Sequence, residues 1–207
     1  VLLLVARVLL MALFIISGLL LNIAPGPDSV LIMTRSATQG WRAGSMAAAG
    51  IGTGTLVHIF AAALGLSALL ATSATAFIIV KLAGAAYLLY IGIGMMRGER
   101  ARADQGTAPL PALPYRKIFA QGFLTNVLNP KVAVFFLAFV PQFIAPDAPN
   151  KALSFIVLGC IFNFNGMLWC NFLSIATAAA KRHVKIGGGV VRWINRLLGG
   201  VFVSFGI

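Results

Sequence analysis

A proline–glycine–proline segment interrupts an apolar run near the start of the chain, and it constrains the fold more than any other feature. The segment reads Ala24-Pro25-Gly26-Pro27-Asp28. Each proline lacks a backbone N–H and disfavours helical dihedral angles in the residue before it, so a helix must break here. In a bilayer such a break is tolerated only where protein or water satisfies the freed backbone groups. The pattern therefore predicts a broken membrane helix beside a polar site.

Composition places the chain in a membrane. Of its 207 residues, 60% are hydrophobic and only 10% are charged, whereas soluble chains average about 25% charged residues. The net charge of +12 comes from 16 Lys and Arg against 4 Asp and Glu. These cations are scattered between apolar runs, which fits membrane topology better than the clustered basic patch of a nucleic-acid-binding protein. We expect a lipid bilayer around the chain and no nucleic-acid partner.

Six apolar stretches are candidates for membrane spans, each of which needs about 20 residues. They lie at about 8–34, 44–70, 76–96, 118–144, 152–179 and 190–207. The first contains the break described above, and the fourth contains a second break at Asn129-Pro130. No small-residue cleavage site precedes Pro25, so we expect the opening run to be an uncleaved first span.

The charges of the connecting loops predict the orientation. The first loop holds Arg35 and Arg42, and the third and fifth loops are also basic, whereas the second has no charge and the fourth balances Asp147 with Lys151. Because cytoplasmic loops collect Lys and Arg, the odd loops are predicted to be cytoplasmic and both termini to lie outside.

The two halves of the chain resemble each other. Residues 21–23 before the first break match 125–127 before the second, and 81–87 match 196–202. An odd number of spans in each half forces the halves into opposite orientations. We predict a single all-α transmembrane transporter domain with six helices in an inverted 3+3 repeat and a site between the halves. Repeat one covers about 1–98, a cytoplasmic linker about 99–116, and repeat two about 117–207; chance similarity between apolar helices is the alternative.

The two breaks are predicted to lie at the same depth. Pro25 lies ten residues before Arg35, and Pro130 lies thirteen residues after Lys117. At 1.5 Å per residue, both breaks are about 15–20 Å from the cytoplasmic boundary. This is near the middle of a hydrocarbon core about 30 Å thick.

One charge follows each break. Asp28 is the only carboxylate inside a predicted span, and Lys131 follows the second break. A structural Asp28–Lys131 ion pair, a snorkelling lysine or a local helix cap by Asp28 would explain them. Alternatively, Asp28 binds the ammonium of an amino acid, while Lys131 and the N–H groups of a half-helix bind its carboxylate. The predicted substrate-binding residues are Pro25, Gly26, Pro27, Asp28, Asn126, Asn129, Pro130 and Lys131.

Other polar residues inside the spans are weaker candidates. Asp28 could titrate and couple transport to protons, with His58, Asn163 and Asn165 as candidates for the pathway or for coupling. Interhelical hydrogen bonding is the alternative for all three. Gly50 and Gly54 are spaced for close helix packing.

The motifs of enzymes and cofactor sites are missing from the sequence. We find no Cys-x-x-Cys pair, no metal-spaced His, Cys and Asp cluster, no Ser-His-Asp set and no nucleotide fingerprint. We therefore expect no enzyme, no cofactor and no metal. Cys160 and Cys170 lie ten residues apart on one predicted helix, so they cannot bridge each other, and we expect two buried bystander thiols.

Several motifs occur in order along nearly the whole chain. They are Pro-Gly-Pro-Asp at 25–28, Gly-Trp-Arg-Ala-Gly at 40–44, the segments 81–92 and 122–131, Phe-Phe at 135–136, and Pro-Gln-Phe at 141–143. With these motifs the chain resembles the lysine exporter/homoserine–threonine exporter (LysE/RhtB) family of bacterial amino-acid efflux proteins. The resemblance implies an inner-membrane secondary transporter that exports amino acids or close derivatives, driven by the proton gradient.

Two other classes of transporter stay open at this point. An exporter of another small solute or a metal cation is one, although membrane carboxylates and thiols are scarce. A membrane thiol carrier is the other, but it would need a cysteine on each of two symmetry-related helices. A homodimer is also open.

Overall fold

The computed structural model describes residues 2–72, 112–145 and 148–180, with single helical positions at 75, 78, 79, 82, 86 and 93. The sixth predicted span, most of the third, most of the linker, most of the matched segment 81–87 and all of 196–202 lie outside the described residues. Asp147 and the basic residues of the fifth loop also lie outside them.

The described residues form α-helices and short helical turns joined by brief connections. The six α-helices are α1 (Leu2–Ile23), α2 (Pro27–Gln39), α3 (Trp41–Thr72), α4 (Tyr115–Val127), α5 (Pro130–Val134) and α6 (Lys151–Ala180). A π-helical turn (Phe135–Phe139) and a 3₁₀ turn (Val140–Phe143) continue α5. The predicted all-α fold is confirmed for this part of the chain.

Two of these helices can cross a membrane unbroken. They are the segments Trp41–Gly65 of α3 and Lys151–Ala180, which is α6. Two bent pairs can cross as broken spans: α1 with α2, bent by 56°, and α4 with the segment Pro130–Phe143, bent by 47°. The described residues therefore contain two unbroken candidate spans, or four if each bent pair is counted.

Both predicted breaks are present, and both restart a helix with proline. Pro27 opens α2 after Gly26, whose backbone is extended, and Pro130 opens α5 after Asn129. Proline suits the first turn of a helix because the N–H that it lacks would have no partner there. The side chain of Asn129 caps α5 by accepting from the Lys131 backbone N–H at 3.1 Å.

Helices α2 and α4 lie side by side in opposite directions, and each has 13 residues. At one end the Gln39 amide exchanges two 2.9 Å hydrogen bonds with the backbone of Leu113, just before α4. At the other end of each helix is a break. A helix of 13 residues is about 20 Å long, so both breaks lie about 20 Å from the Gln39 end.

The structure corrects the position of Arg35. We predicted a loop there, but α2 continues to Gln39, and Arg35 is 1% exposed inside the bundle. The chain turns into α3 only at Gly40, whose φ of 85° is a left-handed value that favours glycine. Arg35 is therefore a buried helical residue and not a loop residue.

Glycines let the backbones of α3 and α4 approach closely. A Cβ at Gly50 would contact the Phe119 carbonyl and lie 2.8 Å from the Phe123 nitrogen, and one at Gly122 would contact the Ala47 carbonyl. A Cβ at Gly54 would lie 2.9 Å from the Cβ of Asn126. The predicted packing role of Gly50 and Gly54 is confirmed, and it seats Asn126 against α3.

Phenylalanines anchor the segment after the second break. Phe135 packs against Phe162 of α6 with ring centroids 4.5 Å apart and the rings tilted by 30°, and Phe143 meets Phe14 of α1 edge-on at 5.2 Å. Phe14, Phe135 and Phe162 are all buried. This core holds the α5 segment between α1 and α6, so the two breaks are fixed relative to each other.

Candidate functional site

The two helix breaks lie against each other, and the charge after each break contacts the other break. The Asp28 Oδ2 accepts from the Asn126 Nδ2 at 2.8 Å and from the Asn129 Nδ2 at 3.3 Å. The Lys131 Nζ donates to the carbonyl oxygens of Leu21 at 3.3 Å and Ala24 at 3.1 Å.

The Lys131 contacts follow from the first break. The Leu21 carbonyl would normally accept from the N–H four residues later, but that residue is Pro25. The Ala24 carbonyl is freed because the helix restarts at Pro27. Lys131 therefore satisfies the carboxyl end of α1, where a cation also interacts favourably with the helix dipole. Gly26 leaves room for it, since a Cβ there would lie 3.2 Å from the Nζ.

Asp28 does not cap a helix segment beginning at Ser29, contrary to one of our alternatives. Helix α2 begins at Pro27, so Asp28 lies within its first turn. A carboxylate is favoured in that turn by the helix dipole. Its side chain bonds across the bundle to Asn126 and Asn129.

Asn126 is the centre of the hydrogen-bond network and is 1% exposed. Its Nδ2 donates to Asp28, and its Oδ1 lies 3.3 Å from the Thr55 hydroxyl, whose single proton is shared between this oxygen and the Ile51 carbonyl at 3.1 Å. In an unbroken helix the backbone carbonyl of Asn126 would accept from the N–H of residue 130, but Pro130 has no N–H. This carbonyl oxygen lies 3.0 Å from the His58 Nε2. Because a carbonyl oxygen only accepts, this ring nitrogen carries the proton. His58 therefore supports the second break from α3, in the interhelical role that we gave as its alternative.

A cavity of about 30 Å³ lies beside this network. Its lining combines polar and apolar side chains, and it has room for about two water molecules. Its lining consists of Leu21, Asn22, Asp28, Ser29, Ile51, Gly52, Thr55, Asn126, Lys131, Val132, Phe162, Asn163, Gly166, Met167 and Cys170. An amino acid would require this cavity to widen.

Two buried polar atoms at the cavity lack a hydrogen-bond partner among the described residues. They are the Asn22 Nδ2 and the Asp28 Oδ1. One is a donor and the other is an acceptor, and both belong to residues of the lining. The site therefore offers one donor and one acceptor to a small polar ligand.

The structure brings together several of the predicted site residues. Asp28, Asn126, Lys131 and Asn163 line the cavity, and Asn129 is bonded to Asp28. Pro25, Gly26, Pro27 and Pro130 shape the breaks without lining the cavity, and His58 lies behind Asn126. Asn165 is also outside the lining, because two residues along a helix turn the side chain by about 200°.

Sequence reasoning missed Asn22, Thr55, Met167 and Cys170 as cavity residues. A signal existed for Asn22, since the match between 21–23 and 125–127 aligns it with Asn126. The two thiols are free, as predicted, but Cys160 is exposed and Cys170 is half-buried, so the expectation of two buried thiols was wrong. Within the described ranges, no three His, Cys, Asp or Glu side chains are grouped to hold a metal ion.

A second polar contact joins α2 to α4 about two helical turns from Asp28. The Arg35 Nη2 donates to the Gln121 Oε1 at 2.8 Å. Together with the Gln39–Leu113 contact, it ties α2 to α4 between the breaks and the far end of these helices.

Comparison with known proteins gives a consistent result. A family model described as LysE type translocator matches residues 19–207. The "Uncharacterized membrane protein PA4757" of Pseudomonas aeruginosa is 31% identical over 201 residues, which cover 94% of this chain and 91% of the relative. Proteins named "Leucine efflux protein" from Salmonella typhimurium and Klebsiella pneumoniae are 27% and 28% identical, over 93% of this chain and 90% of each relative. No solved structure matches the chain.

Proposed function

Since the chain belongs to the LysE type translocator family, and is thus a membrane transporter rather than an enzyme, we propose that it exports amino acids or close derivatives from bacteria. Relatives that align along nearly the whole chain carry the name leucine efflux protein. The apolar residues of the cavity lining, which include Leu21, Ile51 and Phe162, would suit an apolar side chain such as that of leucine.

The proposed architecture is the predicted inverted 3+3 repeat of six spans in the inner membrane, with both termini outside. Its repeats are about 1–98 and 117–207, joined by the cytoplasmic linker. Two bent helix pairs at corresponding places in the chain support it, as does the equal length of α2 and α4. A homodimer remains a prediction.

One observation carries the proposed binding mode: the charges after the two breaks lie at one cavity and contact each other's break. In this proposal the Asp28 carboxylate binds the ammonium of the substrate, and the positive charge of Lys131 attracts its carboxylate. The prolines and glycine at 25–27 interrupt the first helix there, and Asn129-Pro130 interrupts the second. Asn126 orients Asp28 through its 2.8 Å hydrogen bond.

Transport would proceed by alternating access. The cavity of about 30 Å³ is too small for an amino acid, so the contacts between the breaks must loosen to admit substrate and reform after release. Proton coupling follows if one carboxylate cannot hold a proton and an ammonium at once: a proton that reaches Asp28 from outside expels the substrate. His58 and Asn163 are the nearest of the proposed pathway residues, and Asn165 lies further along α6.

Two assays test the proposal. The purified protein in liposomes is screened by counterflow against the twenty amino acids, and we expect exchange of leucine or of a similar apolar amino acid. If no amino acid exchanges while expression confers cadmium tolerance, the metal-exporter alternative replaces the proposal.

The second assay measures proton-driven uptake into inverted vesicles for Asp28→Asn. We expect this variant to lose uptake driven by a pH gradient, because its amide cannot take up the transported proton. The matched control is Thr53→Val, whose hydroxyl is exposed and bonds Ala49 on its own helix. Retention of proton-driven transport by Asp28→Asn would rule out the coupling role.

A further inference from the structure

The side-chain Nδ2 of an asparagine at the cavity has no partner among the described residues, although groups of this kind almost always have one. The Nδ2 of Asn22 is buried and unbonded among the residues that the structure describes, and so is the Oδ1 of Asp28. More than nine in ten buried polar groups in proteins are hydrogen-bonded, and an unsatisfied one costs about 1–3 kcal/mol. A donor and an acceptor that are both unsatisfied among the described residues at one cavity therefore indicate a ligand that supplies the opposite groups.

Asn22 differs from Asn126, the asparagine with which it aligns. Asn126 is held by Asp28 and Thr55, so its side-chain amide has partners at both ends. Asn22 lies one turn before the first break, in the last turn of α1, and its Nδ2 has no hydrogen-bond partner in the part of the chain that the structure describes. Its neighbour on α6 is Gly166, where a Cβ would lie 3.1 Å from the Asn22 Oδ1 and 3.2 Å from the Nδ2. Glycine at 166 thus leaves the space that the Asn22 amide occupies.

Lys131 is the other candidate to bind a carboxylate, but its ammonium already donates hydrogen bonds to the carboxyl end of α1. It donates to the carbonyl oxygens of Leu21 and Ala24, and those carbonyls depend on it because of the prolines that follow. Pulling Lys131 toward a ligand would leave both carbonyls unsatisfied in the bilayer. Its charge acts on a ligand at a distance, while a direct hydrogen bond can come from the Asn22 Nδ2.

The charges of the cavity lining also select the ligand. Among the residues that line it, Asp28 carries a negative charge and Lys131 a positive one, so their formal sum is zero. A zwitterion adds no net charge to this low-dielectric site, whereas a simple amine or a simple carboxylate adds one.

We propose that Asn22 is a substrate-binding residue that distinguishes a zwitterion from an amine. Its Nδ2 donates to the carboxylate of an α-amino acid, while the Asp28 Oδ1 accepts from the ammonium. This inference rests on the proposed function, because it assigns the two ends of the proposed substrate. It predicts that Asn22 recognises the carboxylate specifically and contributes little to binding of the amine end.

The test combines removal of the carboxylate from the ligand with removal of the Asn22 amide from the protein. Counterflow of radiolabelled leucine into liposomes is measured with leucine or isoamylamine as competitor, the latter being leucine without its carboxylate. In the wild type, leucine should compete much better than isoamylamine. In Asn22→Ala, the leucine affinity should fall about ten-fold or more, as expected for a hydrogen bond to a charged group. The isoamylamine affinity should stay within about two-fold, which also shows that the variant is folded.

A second variant introduces a negative charge at the proposed contact with the substrate carboxylate. Asn22→Asp places a carboxylate where the leucine carboxylate would bind, so leucine should be rejected more strongly than by Asn22→Ala, while isoamylamine should bind at least as well as to the wild type. The matched control is Asn171→Ala, whose amide donates to the Met167 carbonyl on its own helix.

Three results would overturn the inference. Equal weakening of leucine and isoamylamine would make Asn22 a structural residue, and unchanged competition by both would mean that its amide binds only water. Better binding of leucine to Asn22→Asp would contradict the direct contact. If the wild-type protein exchanges no leucine at all, the proposed function is wrong. The wild-type measurement does not depend on any change at Asn22, so this result is distinct from a failure of the inference about Asn22.

Discussion

The Nζ of Lys131 lies 3.1 Å from the carbonyl oxygen of Ala24, so the lysine after the second helix break donates to a backbone carbonyl freed at the first break. Asp28, the charge after the first break, makes the reverse contact by accepting from Asn126 at 2.8 Å. Each break therefore supplies hydrogen-bond partners to the other. A charge in the membrane usually marks either function or a structural pair, and here the two charges complete the fold at the site where we propose that substrate binds.

Removing the ammonium of Lys131 should destabilise the protein. Lys131→Met leaves the carbonyls of Leu21 and Ala24 without this donor, and each unsatisfied buried group costs about 1–3 kcal/mol. We expect the free energy of unfolding in detergent to fall by about 2–4 kcal/mol. Lys117→Met is the control, since Lys117 is exposed on α4. Equal midpoints for the two variants in an SDS titration would show that the helix end does not depend on Lys131.

The hydroxyl of Thr55 should matter more than that of Thr53. Thr55 is buried, and its hydroxyl contacts Asn126 as well as the Ile51 carbonyl of its own helix, whereas Thr53 is exposed and bonds the Ala49 carbonyl of its own helix. We expect Thr55→Val to lower the free energy of unfolding by about 1 kcal/mol and to slow leucine counterflow several-fold, because Asn126 then orients Asp28 less firmly. Thr53→Val should leave both quantities within error. The prediction is wrong if the two valine variants are indistinguishable in the transport assay.

Adding one methyl group to a glycine should have opposite effects at two positions. A Cβ at Gly122 would contact the Ala47 carbonyl and force α3 and α4 apart, at a cost of about 1–3 kcal/mol. A Cβ at Gly65 of α3 meets no described atom within 4 Å. Gly65→Ala should therefore stabilise the helix by about 0.5–1 kcal/mol. Thermal unfolding in detergent measures both, and a stabilising Gly122→Ala would contradict the close approach of these helices.

The side chain of Gln39 should protect the backbone amide of Leu113 from hydrogen exchange. Gln39→Met removes both 2.9 Å hydrogen bonds between them, each worth about 1 kcal/mol. We expect exchange of the Leu113 amide to accelerate about ten-fold or more, measured by mass spectrometry of the peptide that contains it. Gln142→Met is the control, since that amide donates to the Ala138 carbonyl. Unchanged exchange at Leu113 would show that the contact does not hold this end of α4.

Local backbone chemistry explains why much of the helical layout was predictable. Pro25, Pro27 and Pro130 lack N–H groups wherever the rest of the chain lies, so the breaks in the first and fourth predicted spans could be located from residue order alone. The straight helices α3 and α6 begin and end within a few residues of the predicted limits, because an uninterrupted apolar run in a bilayer must satisfy its own backbone.

The partners of the polar side chains depended on packing and were predicted less well. Arg35 looked like a loop cation because arginine marks cytoplasmic boundaries on average, yet it is buried beside Gln121, 86 residues away in sequence. Asn163 and Asn165 could not be ranked before α6 had an orientation in the bundle, which places only Asn163 at the cavity.

By itself, then, the sequence determined that the chain enters a membrane, where its helices break, and that one charge follows each break, since these properties follow from composition and from residues adjacent in the chain. Only the tertiary structure decided that Lys131 bonds the end of α1, that Asp28 bonds Asn126, and that the Asn22 Nδ2 has no partner among the described residues at the cavity. Hydrogen bonds between residues about 100 positions apart depend on how helices pack in three dimensions, and the order of residues along one helix does not specify that packing.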